Sequence, residues 1–416
     1  MSRMRMPLLL IGVLALLAGI YGLGVATAPA VQQLTPRAAE APDVQQQFKV
    51  FWEAWDLVDQ HFVDRDAIDT NKRTHGAIQG MLDSLGDIGH TRFLSPDDLR
   101  QQQESLAGRF EGIGAEVSMR DGRPVVVAPL DGSPAERAGI QAGDAIVAVD
   151  GEDTGHMTLQ EVIRRIRGPK GTSVRLSVIH PNQTVVSELA ITREEIKVHS
   201  VVWHYLPQSE IGHVRISQFA TNANAELAAA LKALRAQGAK GLVVDVRNDP
   251  GGLLEQAIAV TSQFLKEGNV LLEQDSHGKR RAYPVRPGGA ATDLPIAVLI
   301  NRGTASAAEI FAGAIKDNRR GPVIGEPTFG TGTVLSSFPL GDGSALLLAT
   351  AEWLTPNGTE IKNNGITPDT VMKLEATALP LTPRREEQMS EEEILSTDAQ
   401  LRAAVETLKQ GRVGAR

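Results

Sequence analysis

The sequence predicts a multidomain α/β chain: an N-terminal helical cap, a β-rich middle domain and an α/β layered core. Three patterns predict it. Phe48, Phe51, Trp52, Trp55, Val58 and Phe62 recur at helical spacing. Between residues 108 and 194, short β-rich runs alternate with Gly, Pro and Asp. From about residue 211 onward, apolar strands alternate with helical stretches.

The composition agrees. A chain of 416 residues exceeds one ordinary core, and 42% hydrophobic with 22% charged residues is globular. A net charge of −8 gives no reason to expect a nucleic-acid partner. The absence of cysteine excludes disulfides, thiolate catalysis, thiolate-bound zinc and lipid attachment through an N-terminal Cys. No histidine–carboxylate cluster has metal-ligand spacing, so neither metal nor cofactor is expected.

Residues 1–30 read as a signal or anchor segment. Arg3 and Arg5 precede an apolar run over residues 8–25. Ala26-Thr27-Ala28 looks like a cleavage site, but Pro29 follows it directly, and the run is just long enough to span a bilayer. The reading favours an uncleaved anchor over a cleaved signal peptide, with the bulk of the chain exported to the outer side of the cytoplasmic membrane, as in the periplasm. Residues 31–43 are a polar linker.

The cap is expected over residues 44–107, with a second helix near 72–85 broken by Gly86-Asp87-Ile88-Gly89 before His90. In the 108–194 block, Phe110-Glu111-Gly112-Ile113-Gly114, the Ser133–Ile140 segment followed by Gly143-Asp144, and a helix over 159–166 closely resemble a PDZ domain. Such a domain adds a peptide as an extra strand and holds its C-terminal carboxylate in backbone amides. Phe110, Gly112, Ile113 and Gly114 are the candidate peptide-binding residues.

The core is expected over residues 195–376. Strands at 212–219, 241–247 and 296–300 alternate with helices at 223–237, 252–266 and 305–316. Residues 377–416 read as a tail, polar and mobile to 395, ending in a helix over 399–409.

Two strand-to-helix turns could face one crevice. In Asn301-Arg302-Gly303-Thr304-Ala305-Ser306-Ala307, a serine enters the first turn of a helix, where free amides favour an oxyanion. In Asp245-Val246-Arg247-Asn248-Asp249-Pro250-Gly251-Gly252, paired glycines let amides approach a ligand. On pattern alone, a serine there is more often an N-cap than a nucleophile.

Together these segments resemble the carboxyl-terminal processing peptidases over roughly residues 44–412. The resemblance implies a crotonase/ClpP-like core, Ser306 as nucleophile within Thr304–Ile310, and oxyanion donors among Gly251, Gly252 and Ala307. It also marks Asp317 and Arg320 as the residues ending that helix. Gly325-Glu326-Pro327-Thr328-Phe329-Gly330 matches the segment before the family's general-base lysine. That position holds Thr331, and Leu335 stands where many members carry a supporting glutamine. A threonine hydroxyl is too weak a base for the work.

A replacement base is therefore needed. Lys316 is about 15 Å from Ser306 along the helix axis and is set aside. His90 lies in a turn resembling that of tricorn-type relatives, whose histidine activates the serine. The position of their late acidic residue holds Lys362, leaving Glu360 as a weaker candidate partner for the ring. His156, His180 and His277 read as surface residues.

The expected function is an exported serine endopeptidase that recognises C-terminal tails through its PDZ domain. It would cleave unfolded or membrane-associated proteins by acyl transfer at Ser306. The alternative is a catalytically degenerate peptide-binding adaptor. Polypeptides with free C-termini are the expected partners, with the membrane met through the N-terminal segment; oligomerisation is left open.

Overall fold

A computed structural model describes residues 42–413, apart from 88–89, 121, 131, 182 and 375–379. The signal or anchor segment and the linker up to residue 41 lie outside the described residues. Among the described residues, no helix is long and apolar enough to cross a membrane.

The chain divides into two compact units between Gly76 and Ala77. The division falls inside the expected 44–107 cap, so the cap is not one body. The smaller unit holds the helix Pro42–His61 and the start of Thr70–Asp83. Its aromatic residues touch one another, with the Phe51 and Trp52 rings 5.2 Å apart and the Arg73 guanidinium 3.9 Å from the Trp55 ring centre, while Phe48, Trp52 and Phe62 stay exposed.

The rest of the cap belongs to the larger unit. Ser95 begins the helix Pro96–Leu106 by accepting the Asp98 N–H at 3.2 Å. The strand Arg92–Leu94 pairs antiparallel with Ala345–Leu354, adding itself to a core sheet.

The β-rich block folds around its own core, including Val126, Ile146, Val162 and Leu176. Its helix Leu159–Ile166 opens with a Thr158/Glu161 capping box and turns Val162 and Ile166 inward. Among the described residues, the strand Ala115–Arg120 pairs only with Arg123–Pro129, leaving one sheet edge open beside that helix. A ribbon of Arg109–Gly112 with Glu194–Lys197 draws the two ends of the block together.

The α/β core is built on a six-stranded sheet in the order Val201–Leu206, Ile211–Ile216, Gly241–Asp245, Ile296–Ile300, Val323–Gly325, Thr370–Val371. All pairs but the first are parallel. Gly241–Asp245 and Ile296–Ile300 are buried at every residue, because both faces are covered. Leu242, Val244, Ile296, Val298 and Ile300 face the helices Ala223–Ala236, Leu254–Ser262 and Ala307–Asp317. Val243, Ala297 and Leu299 face Leu381, Ile394, Leu401 and Val405 from the C-terminal segment.

That last layer overturns the expected mobile tail. Residues 380–395 dock on the sheet, and the closing helix runs Ala399–Val413. Their polarity is internal. Arg247, wholly buried, donates to Asp245 at 2.9 Å, Asp398 at 3.1 Å and Gln400 at 2.9 Å. His213 meets Glu386 at 2.6 Å, and Glu391 accepts from the Gln208 N–H and Ser209 hydroxyl. Burial of such groups is tolerated only when each finds a partner.

Candidate active site

The two strand-to-helix turns are stitched to each other. The Asn248 N–H donates to Asn301 Oδ1 at 2.8 Å, and Asn301 Nδ2 returns a bond to Asn248 Oδ1 at 2.8 Å. The Thr304 hydroxyl donates to the Val246 carbonyl at 2.8 Å, and the Ala305 N–H to the Asp249 carbonyl at 2.9 Å. Both turns leave the carboxyl ends of adjacent parallel strands, so they share one crevice.

Ser306 stands immediately before the helix Ala307–Asp317 with φ 54° and ψ −118°. A non-glycine residue held there costs about 1–3 kcal/mol and persists only where its surroundings enforce it. A strained strand-to-helix turn is how a nucleophilic serine is presented at a sheet edge. The enforcing group is Glu309, whose carboxylate is fully buried. It accepts the Ser306 N–H at 2.9 Å, the Thr328 hydroxyl at 2.5 Å, and the Gly330 and Thr331 N–H groups at 2.7 and 2.8 Å. Burial raises its pKa, and these four bonds oppose the rise.

Ser306 and Thr331 thus hang on the same oxygen, Glu309 Oε2. The position expected to hold a lysine lies beside the serine, and it carries a threonine. Lys316 is engaged elsewhere, with the Thr367 carbonyl at 2.6 Å and Asp369 at 3.1 Å.

The glycine turn differs from expectation. An added Cβ on Gly251, φ +95°, would stand 2.7 Å from both the Ala307 nitrogen and Ser306 Cβ. The space before the Ala307 amide is open only because residue 251 lacks a side chain. The Gly251 N–H, however, is already donated to Asp249 Oδ1 at 2.7 Å. Gly252 serves the sheet: it bridges to Phe219, whose N–H reaches the Gly251 carbonyl at 2.8 Å. Asp249 is fully buried, its Oδ2 has no hydrogen-bond partner, and burial pushes its pKa well above the carboxylate range.

His90 is nearly buried, with Nδ1 3.3 Å from Asp87 Oδ1. Its Nε2 is buried and makes no hydrogen bond, so the expected bond to Ser306 is not formed in this state. The ring packs edge-on against Phe329 with centroids 6.5 Å apart. The Phe329 N–H donates to the Thr304 carbonyl at 3.0 Å, two residues before Ser306. Apo sites often hold such bonds open until substrate arrives.

The acid on His90 is Asp87 rather than Glu360, which is exposed on another turn. Burial works to raise the Asp87 pKa. The Thr91 hydroxyl and N–H, at 2.7 and 3.1 Å, and the Lys362 ammonium at 3.6 Å outweigh it and hold the carboxylate ionised. Asp87, Asp249 and Glu309 all escaped sequence reasoning as site residues, because a carboxylate beside a turn reads as a solvated cap. Depth is what distinguishes them. His180 is likewise no surface residue; it bonds Asp144 at 2.8 Å.

In the β-rich block, Ile113 points into the core and its carbonyl accepts the Ala135 N–H at 2.8 Å. Gly114, φ +74°, packs against Ser133. Among the described residues, the Ile113 and Gly114 N–H groups donate to no protein acceptor. They begin the open edge strand, where a terminal carboxylate could be received. Phe110 lies under the Arg167 guanidinium at 4.6 Å, and Gly112 ends its strand against the Phe110 ring.

Fold and turns together define a serine-type peptidase with a PDZ domain, and comparison with known proteins agrees. Residues 210–372 match the model of peptidase family S41, and residues 125–179 that of the PDZ domain. A carboxyl-terminal-processing protease of Synechocystis sp. is 36% identical over 346 residues, covering 78% of this chain and 81% of its own. The carboxy-terminal processing protease CtpA of Bacillus subtilis is 38% identical over 309 residues, covering 74% and 65%. The structure of a photosystem II D1 C-terminal processing protease superposes with a TM-score of 0.50 at 32% identity, covering 85% and 97%. The chain belongs to the carboxyl-terminal processing protease family of S41 serine peptidases.

Proposed function

We propose that this chain is an exported, membrane-attached endopeptidase that captures C-terminal tails in its PDZ domain and cleaves unfolded or membrane-associated polypeptides at Ser306, with His90 in place of the missing lysine. The observation that carries the mechanism is the buried, unpartnered His90 Nε2 with Asp87 on the opposite ring nitrogen. With Nδ1–H turned to Asp87, Nε2 holds the lone pair. As Ser306 Oγ attacks the scissile carbonyl, Nε2 takes the hydroxyl proton. The tetrahedral oxyanion collapses, the C–N bond breaks, and the leaving amine takes that proton from His90. Water, deprotonated by the same nitrogen, then cleaves the ester and regenerates Ser306.

Cleavage of unfolded casein by the full chain tests this. Ser306→Ala should abolish it; a wild type no faster than Ser306→Ala means the adaptor reading is right. Tail capture is tested with an apolar-ended peptide and its C-terminally amidated twin, and equal affinity for the two defeats it. Attachment and export rest on Arg3, Arg5 and the apolar run of residues 8–25. A reporter fused after Arg416 should be accessible only from outside the cytoplasm.

A further inference from the structure

The Asp249 carboxyl group is a buried acid at the crevice that acyl transfer, as written above, does not use. It is fully buried at the start of the glycine turn. One oxygen accepts the Gly251 N–H at 2.7 Å, and the other is out of solvent with nothing to bond. Its own backbone carbonyl holds the Ala305 N–H, so the residue is tied to both turns. Gly251 in turn lies against Ser306 and the Ala307 amide. A buried carboxylate with one oxygen unpaired is strongly disfavoured, whereas a carboxylic acid there loses only one hydrogen bond.

The charged groups acting on it are Arg215 from the strand Ile211–Ile216 and Asp245 from the strand Gly241–Asp245. They offset each other: Arg215 is bonded to Asp245 at 3.3 Å and to the Arg247 carbonyl at 3.0 Å. Neither supplies Asp249 Oδ2 with a partner.

We propose that Asp249 is a positioning residue of the acyl-transfer site, whose carboxyl group, protonated on Oδ2, fixes the Gly251 turn against Ser306, and whose ionisation switches cleavage off. The inference rests on Ser306 being the nucleophile. The neutral acid holds the turn without adding charge. The anion would place a negative charge one amide away from the pocket in which the oxyanion develops, and like charges in a dry site repel strongly. Activity then falls on the alkaline side as Asp249 loses its proton.

Asp249→Asn keeps an acceptor for Gly251 and removes the ionisation. The pH profile of kcat/KM on unfolded casein is measured for the wild type, Asp249→Asn and Ser306→Ala, with melting temperatures as the check on folding. The expected result is an alkaline decline of tenfold or more in the wild type that is absent from Asp249→Asn. The same decline in folded Asp249→Asn, or a folded but inactive Asp249→Asn, overturns the proposal while an inactive Ser306→Ala leaves the nucleophile intact. An active Ser306→Ala instead removes the reading on which it rests. Should Asp249→Asn not fold, aspartate-selective 13C labelling of the wild type decides: one carboxyl resonance still in the acid form at pH 7 is expected, and none overturns it.

Discussion

Among the histidines that sit on carboxylates, His213 and His90 do so with opposite consequences. His213 has Glu386 at 2.6 Å on Nδ1 and Asp245 Oδ2 at 3.4 Å from Nε2, all fully buried. Burial opposes its charge, but the two acids outweigh that and raise its pKa to about 9. In its charged form it joins the C-terminal layer to the central sheet. His90 has one acid, Asp87, on Nδ1; its Nε2, like that of His213, makes no hydrogen bond, and among the described residues no carboxylate stands within ion-pair distance of it. An acid on each side of a ring favours its cation, whereas a single acid orients the ring.

The comparison is most sharply tested by removing each ring. His90→Ala should lower kcat/KM on unfolded casein by about 10²–10⁴-fold with little change in melting temperature. Full activity in that variant ends the assignment. Thr331→Lys in the same background asks whether a lysine at the family's position can resume the role.

His213→Ala should do the reverse. Stripping the cation from two buried carboxylates costs about 3–5 kcal/mol in urea denaturation. Turnover per folded molecule should hold, and a loss of turnover without loss of stability would merge the two classes.

The pH dependence of stability follows from the raised value. The folded-state preference of His213 for its proton is fully present below the unfolded pKa of about 6.5 and fades as pH rises through about 9. The wild type should therefore lose up to about 3 kcal/mol across that window, and His213→Ala should lack this component.

Glu309 offers the smallest expected effect. Glu309→Gln turns one accepting oxygen into a donor facing backbone N–H groups, for a stability loss of about 2 kcal/mol together with a fall in kcat. An unchanged kcat would mean that Ser306 holds its backbone without that clamp.

Much of this arrangement was legible in the sequence. The strand Ile296–Ile300 was read to the residue, because a run of five apolar residues bounded by Pro295 and Asn301 has little other use. Ser306, the Gly251-Gly252 turn and the vacant lysine position at Thr331 stood out through motif. The acids did not. Asp87, Asp249 and Glu309 are chemically identical to surface carboxylates, and only long-range packing makes them buried. The docked tail was missed for the same reason: Glu386, Glu391 and Asp398 read as solvent-facing until His213, Ser209 and Arg247 are found opposite them.

The three-residue strand Arg92–Leu94 finds its partner only in residues 345–347. A ribosome releases residue 90 long before it makes residue 345. Until then the strand that follows His90 has no edge to join. A chain cut short anywhere before residue 345 would leave that strand unpaired. The pairing that ties the segment after His90 into the core sheet therefore waits on residues 345–347, whatever has been made before them.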